Sequence, residues 1–206
     1  MSDFDRKKHW ENIYETKPLT EVSWYQPLPE TSIRLLGEIG ILADSSLIDI
    51  GGGDSFLVDY LLKKGIADIT VLDISAKAIE RAKERLGTEA QKVTWIQSDI
   101  SQFTPTTQYD IWHDRAAFHF LTEEKEIEHY VEIASESVKI GGHLVLGTFS
   151  DNGPKKCSGI EIKQYSQPEM TKKFARAFRC VKCFNEDHNT PFNTFQNFTF
   201  GVFKRT

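Results

Sequence analysis

The run Leu47-Ile48-Asp49-Ile50-Gly51-Gly52-Gly53-Asp54-Ser55 constrains the fold of this chain more than any other stretch. Leu47, Ile48 and Ile50 give it the apolar, β-branched character of a short parallel strand covered on both faces. The three glycines then let the backbone turn sharply and approach a ligand closely, because no Cβ stands in the way. Apolar residues recur at helical spacing from Phe56 to Lys64 (Phe56, Leu57, Tyr60, Leu61), and Gly65 ends the run. A glycine turn feeding a helix N-terminus presents free N–H groups and a positive dipole end to an anion. A tight βα turn without any ligand has the same local pattern, so residues further along the chain must decide.

Strands and helices alternate downstream. Strands are expected over Asp68 to Leu72 (ending at Asp73), Val93 to Ile96, Tyr109 to His113 and His143 to Phe149. Ser75 caps a helix over Ala76 to Leu86, which Gly87 ends. Thr122 is expected to cap a long helix running to Ile140, with Gly141-Gly142 as its stop. Before the glycine turn, a helix is expected from Glu30 to Gly40, capped by Thr31 or Ser32, with Ile33, Leu36 and Ile39 facing inward. The alternation predicts an α/β fold with a doubly wound, mostly parallel sheet. After residue 150 the rhythm changes. Ser166-Gln167-Pro168-Glu169 is a capping-box pattern opening a helix to Ala177, and two β-rich runs (Arg179 to Asn185, Phe195 to Lys204) predict an antiparallel hairpin at the sheet edge. Residues 1–30 carry Trp10 and Tyr14 on one helix face, then an irregular arm with Trp24 and Tyr25. They read either as a cover for one end of the sheet or as an aromatic lid.

At 206 residues the chain is expected to form one domain over 1–206, with residues 1–30 a helix and lid arm within it. A net charge of −5 provides no global attraction to nucleic acid or acidic membrane surfaces. No apolar run approaches the roughly 20 residues of a membrane span. Met1 to Arg6 lacks the apolar core of a secretory signal, and three cysteines are an odd, sparse set, so a reduced cytoplasmic location is expected. Cys180 and Cys183 lie on an expected strand, where three-residue spacing points them to opposite faces, so no metal site is expected.

Three acids fall at successive strand ends. Asp49 lies two residues before the first glycine, Asp73 ends the second strand, and Asp99 follows the third. A dinucleotide pyrophosphate favours Gly-x-Gly-x-x-Gly without a nearby acid, whereas these glycines are contiguous and flanked by Asp49 and Asp54. Asp49 suits a cationic amino group, Asp73 a ribose diol and Asp99 an adenine amino group. A ligand with an amino-acid end, a ribose and an adenine is S-adenosylmethionine.

Over nearly its whole length the chain resembles the class I S-adenosylmethionine-dependent methyltransferases. Asp49 to Ser55 matches the family's acid-x-Gly-x-Gly-x-Gly motif, with Ser55 where the third glycine often stands. Asp73 matches the ribose acid, Asp99-Ile100 the adenine-contacting pair, Tyr109-Asp110-Ile111 the fourth-strand motif, and Gly141 to Val145 the turn before strand five. The resemblance implies a seven-stranded sheet whose last strand inserts antiparallel between strands five and six. It also implies cofactor contacts from Asp49, Gly51, Gly53, Ser55, Asp73, Ile74, Asp99, Ile100, His113 and Trp24, with S-adenosylhomocysteine as product. His9 to Tyr14, Trp24-Tyr25 and the Asp114 segment are similar to a subgroup of eukaryotic protein lysine methyltransferases. That subgroup has arginine in place of Ile13 and Asp-Lys-Gly in place of Asp114-Arg115-Ala116.

Methyl transfer from a sulfonium is an in-line displacement, so the protein chiefly positions the nucleophile and, for a high-pKa acceptor, removes a proton. The candidate bases are His119, Asp114 and His113; His113 reads first as a strand residue whose backbone lines the cofactor. Tyr25, Arg115 and His188 are candidate substrate contacts, with Arg115 suited to an acidic substrate or to the cofactor carboxylate and His188 reaching over from the hairpin loop. The expected function is methylation of an N, O or S atom of a small molecule by a monomer or homodimer. The alternatives are protein lysine methylation and non-catalytic binding of S-adenosylmethionine. A nucleic-acid substrate is disfavoured by the acidic charge and by the lack of an Asn/Asp-Pro-Pro-Tyr run after strand four.

Overall fold

A computed structural model describes residues 4–206. The reading of Met1, Ser2 and Asp3 as part of a non-signal N-terminus lies outside the described residues. Helix α1 (Arg6–Thr16) is capped by Asp5, whose carboxylate accepts from the Lys8 N–H at 2.9 Å. After the arm, α2 (Glu30–Glu38) leads to β1 (Ser46–Ile50), the glycine turn and α3 (Leu57–Lys63). Then come β2 (Asp68–Asp73), α4 (Ala76–Leu86), β3 (Val93–Gln97), β4 (Tyr109–Arg115), α5 (Glu124–Ser137) and β5 (Val138–Phe149). A two-stranded ribbon, β6 (Lys156–Cys157) and β7 (Ile160–Glu161), precedes α6 (Gln167–Phe174), β8 (Phe178–Asn189) and β9 (Phe195–Arg205).

The main sheet has seven strands in the order β3-β2-β1-β4-β5-β9-β8. The first five are parallel, and β9 runs antiparallel between β5 and β8. Strand order reverses between β1 and β4, which opens a crevice at their carboxyl ends. All five residues of β1 are buried, as the apolar run requires. One face packs on α5 and α6 through Trp112, Tyr130, Phe174 and Phe203; the other packs on α2 and α3 through Leu35, Leu36, Leu57 and Leu61.

Several local expectations change. Neither Thr31 nor Ser32 caps α2, whose N-cap is Pro29; Leu36 is buried as expected, joined by Ser32 and Leu35, while Ile33 and Ile39 are partly buried against the same core. The long helix starts at Glu124 without a side-chain cap and ends at Ser137, so Gly141-Gly142 stand inside β5. Gly141 there has φ +83, and the register between β4 and β5 shifts at this point. Strand β4 runs two residues longer than expected and includes Asp114 and Arg115. Cys180 and Cys183 pack on the same core cluster, because a bulge between Cys180 and Lys182 breaks the alternation and pairs them with Phe203 and Gly201 on one face.

Candidate functional site

Two strand neighbours build the floor of the crevice. Asp49 on β1 pairs in register with His113 on β4, and both side chains are buried. His113 Nδ1 lies 2.6 Å from Asp49 Oδ1, and His113 Nε2 lies 2.9 Å from Ser32 Oγ. A carboxylate only accepts, so Nδ1–H donates to Asp49, and Nε2 shares the second hydrogen bond with the Ser32 hydroxyl. Asp49 Oδ2 is buried and has no hydrogen-bond partner. That is a demanding arrangement for a charged oxygen, and it suits a ligand that brings a donor.

Glycines keep this floor open. A Cβ on Gly52 would overlap the Asp49 carboxylate, and one on Gly53 would lie 2.6 Å from Asp73 Oδ2. Gly51 has φ +69, and a Cβ there would stand 2.9 Å from the Ala117 methyl. The turn itself is not the anion cradle expected from its sequence. The Gly51 and Gly52 N–H groups both donate to Leu72 O, Gly53 N–H to Asp73 Oδ2, and Ser55 N–H to Gly52 O. The seven residues of α3 begin at Leu57, whose N–H donates to Ser55 Oγ.

Asp73 is held from two sides, by Gly53 N–H at 2.9 Å and Ser75 N–H at 2.8 Å. Burial raises its pKa to about 6. Each oxygen keeps a further lone pair for a ligand. Asp99 accepts from the Ser101 N–H at 2.9 Å and from Arg6 Nη1 at 3.1 Å, while Arg6 Nη2 holds Glu126 at 2.9 Å. Arg6 thus ties α1 across the crevice. Glu11 strengthens the tie by accepting from Ser75 Oγ and the Ala76 N–H, both at 2.8 Å, at the start of α4. Trp10, Tyr14, Trp24, Tyr25 and Phe120 form an aromatic wall above the floor; the Trp10 and Phe120 centroids are 5.0 Å apart and edge-on.

A single pocket brings together most of the residues singled out from sequence: Asp49, Gly51, Ser55, Asp73, Ile74, Asp99, Ile100, His113, Trp24, Tyr25 and Arg115. Gly53, Asp114, His119 and His188 do not line it. Asp114 points to the opposite face of β4 from His113. It accepts from the Ala117 N–H at 2.8 Å, the Phe118 N–H at 3.0 Å and the Tyr130 hydroxyl at 2.7 Å, which shapes the turn after β4. His119 has no exposed surface and packs against Phe149 and Phe120. Its Nδ1 accepts from the Phe149 N–H at 3.2 Å, and burial with Arg115 nearby lowers its pKa to about 3. Such an imidazole stays neutral and out of reach of the pocket. His188 lies within β8 instead of a loop; its Nε2–H donates to Ser23 O at 2.7 Å and its Nδ1 accepts from Gln26 at 3.2 Å. It anchors the aromatic arm, and burial lowers its pKa to about 4.

Sequence reasoning missed Arg6, Ser32, Phe120 and Cys157 as pocket-lining residues. The position of Ser32 near the start of α2 suggests a cap and gives no sign of its place in the pocket. Arg6 carries no local signal, because its partner Asp99 is 93 residues away. Cys157 reaches the pocket through β6, and burial pushes its thiol up to about 12.

Comparison with known proteins places the same region in context. Residues 48–144 match a family model described as a methyltransferase domain. The eEF1A lysine and N-terminal methyltransferase of Mus musculus is 27% identical over 127 residues, 61% of this chain and 18% of the relative. Malonyl-[acyl-carrier protein] O-methyltransferase of Anoxybacillus flavithermus is 31% identical over 107 residues, 52% of this chain and 39% of the relative. The chain thus spans well under half the length of these two curated relatives. N-methyltransferase NodS from Bradyrhizobium japonicum, solved with S-adenosylhomocysteine, superposes with a TM-score of 0.70 at 16% identity, covering 98% of this chain and 99% of that one.

Proposed function

We propose, from the premise that this chain belongs to the class I S-adenosylmethionine-dependent methyltransferases, that it binds S-adenosylmethionine in the β1–β4 crevice and methylates a small molecule. The observation that carries the reading is Asp49 Oδ2, a buried carboxylate oxygen without a partner on the pocket floor. It fits the ammonium of the cofactor's amino-acid end. Asp73 retains lone pairs for both ribose hydroxyls, and Asp99 and Ile100 line the same pocket, which supports an adenine beside them. The glycine floor leaves room, since side chains at Gly52 or Gly53 would collide with Asp49 or Asp73.

When bound, the sulfonium supplies a methyl group already activated for displacement. The chain's part is to position, shelter and deprotonate. Trp10, Tyr14 and Trp24 exclude water and present aromatic faces that favour a cation. With the His113 ring neutral, Asp49 holds it in the tautomer whose Nε2 accepts from Ser32, so a lone pair on Ser32 Oγ is free to accept a hydrogen from the methyl acceptor. His113 and Ser32, instead of His119 or Asp114, are therefore the groups placed to receive a proton. The arm supports a small acceptor: His188 and Arg6 pin α1 and residues 23–26 over the crevice. The likeness to the mouse lysine methyltransferase favours protein methylation as the second reading.

The test is incubation of the protein with methyl-labelled S-adenosylmethionine and a cell extract, followed by separation of macromolecules from filtrate. Label in a new small product, abolished by Asp49→Ala, is expected. Label in a protein band instead would replace the leading reading with the second.

A further inference from the structure

Among the described residues, two cations line the pocket. Arg6 is paired with Asp99 and Glu126. Among the described residues, no carboxylate pairs with Arg115. Its Nη1 donates to the Trp24 carbonyl at 3.3 Å, its guanidinium stacks 5.0 Å from the Phe198 centroid, and its Nη2 is buried without a hydrogen-bond partner. Of the titratable groups around it, His119 and His188 are held uncharged by burial and Cys157 stays a thiol, while the Asp49 carboxylate, bonded to His113, acts on it only through space. Burial even lowers the pKa of Arg115 to about 10. A buried guanidinium nitrogen that lacks an acceptor is costly unless a ligand supplies one.

The glycine turn sharpens the point. Its N–H groups at Gly51, Gly52 and Gly53 are all engaged within the protein, so an anionic group entering this end of the pocket finds no backbone cradle. Arg115 is the donor that remains. From β4 it projects on the same face as His113, beside the turn where Ala117 abuts Gly51. A planar guanidinium fixed by stacking on Phe198 offers N–H donors in the fork that matches a carboxylate.

We propose that Arg115 is the carboxylate receptor of this pocket. The proposal rests on the cofactor reading above. Two molecules can bring that carboxylate: the cofactor, through its amino-acid end, or the methyl acceptor. In the second case the acceptor is an aromatic acid, because the walls above Arg115 are aromatic.

The experiment compares wild type with Arg115→Met and Arg115→Lys by calorimetry. The probes are S-adenosylhomocysteine, 5′-methylthioadenosine (the same nucleoside without the amino-acid end), and phenylacetate added to the S-adenosylhomocysteine complex. Melting curves confirm that each variant is folded. If the cofactor brings the carboxylate, Arg115→Met weakens S-adenosylhomocysteine about 10- to 100-fold and leaves 5′-methylthioadenosine unchanged. If the acceptor brings it, both nucleosides bind as in wild type and phenylacetate binding is lost. In either case Arg115→Lys retains part of the affinity. Wild-type affinities for all three probes in folded Arg115→Met overturn the proposal and leave Arg115 a support for Phe198. Failure of wild type to bind either nucleoside removes the cofactor reading itself, and the receptor with it.

Discussion

Replacing Asp73 by Asn separates what this residue does for the fold from what it does for a ligand. In the folded protein both oxygens accept a backbone N–H, from Gly53 at 2.9 Å and Ser75 at 2.8 Å. Burial has raised the pKa from 3.8 to about 6, so keeping the charge at pH 7.5 costs about 3 kcal/mol. Asn removes that cost but turns an NH2 toward one of the two donors, losing a hydrogen bond and stranding a buried group, about 2–4 kcal/mol. The two effects nearly cancel, so the melting temperature at pH 7.5 should move little. At pH 5 the balance differs. A carboxyl with a raised folded-state pKa binds its proton more tightly in the fold, so the wild type gains stability as pH falls from 6 toward 4. The Asn variant lacks that gain and should be clearly the less stable at pH 5. Binding behaves differently again. If both oxygens take ribose hydroxyls, Asn loses one charge-assisted bond, about 1.5–3 kcal/mol, or roughly 10- to 100-fold in affinity. Calorimetry with S-adenosylhomocysteine at pH 7.5, beside thermal melts at pH 5 and 7.5, reads all three quantities. An affinity within twofold of wild type in a folded variant would refute the ribose role and leave Asp73 as a brace for the glycine turn.

Two further outcomes follow from His119 and from the turn after β4. His119 is buried with its pKa lowered to about 3, so the unfolded chain binds a proton near pH 6.5 that the fold rejects; stability conferred above 6.5 is lost as pH falls toward 3, by on the order of 5 kcal/mol. In His119→Asn the new Oδ1 can accept the Phe149 N–H, and chemical-denaturation curves should show a smaller stability loss between pH 7 and 4.5; an unchanged loss would show that His119 does not titrate in this way. Ala116 has φ +73 in the turn after β4. Ala116→Gly should therefore stabilise the protein by up to about 1 kcal/mol, the relief of left-handed strain being partly offset by a looser unfolded chain. Destabilisation in urea titrations would contradict a strained turn.

Much of the fold was legible because its signals are local. Ser75 and Ser166 cap their helices as their sequences dictate, and α4 covers the range expected from periodicity. Helix α5 and β5 were misdivided because Gly141, a good helix stop in isolation, was placed by the sheet in a left-handed kink within β5. The cysteine pair was misplaced for the related reason that a bulge in β8 shifts the register, and no residue at 180–183 announces it. Within the site, the acids at strand ends were readable because strand ends are where a parallel sheet opens. The roles of the histidines were not. His113 and His119 sit six positions apart on one segment, yet one lines the crevice and the other is sealed in the core.

By itself, the sequence determined the alternating α/β order, the glycine turn, and the placing of Asp49, Asp73 and Asp99 at or just beyond successive strand ends, since each depends on neighbours a few residues away. Only the tertiary structure decided which polar groups are engaged. The turn's N–H groups were claimed by Leu72 and Asp73, Asp99 by Arg6, and His113 by Ser32, while Asp49 Oδ2 and Arg115 Nη2 were left without partners. Hydrogen bonds and charge pairs form between groups far apart in the chain, and their free capacity exists only once the elements have packed.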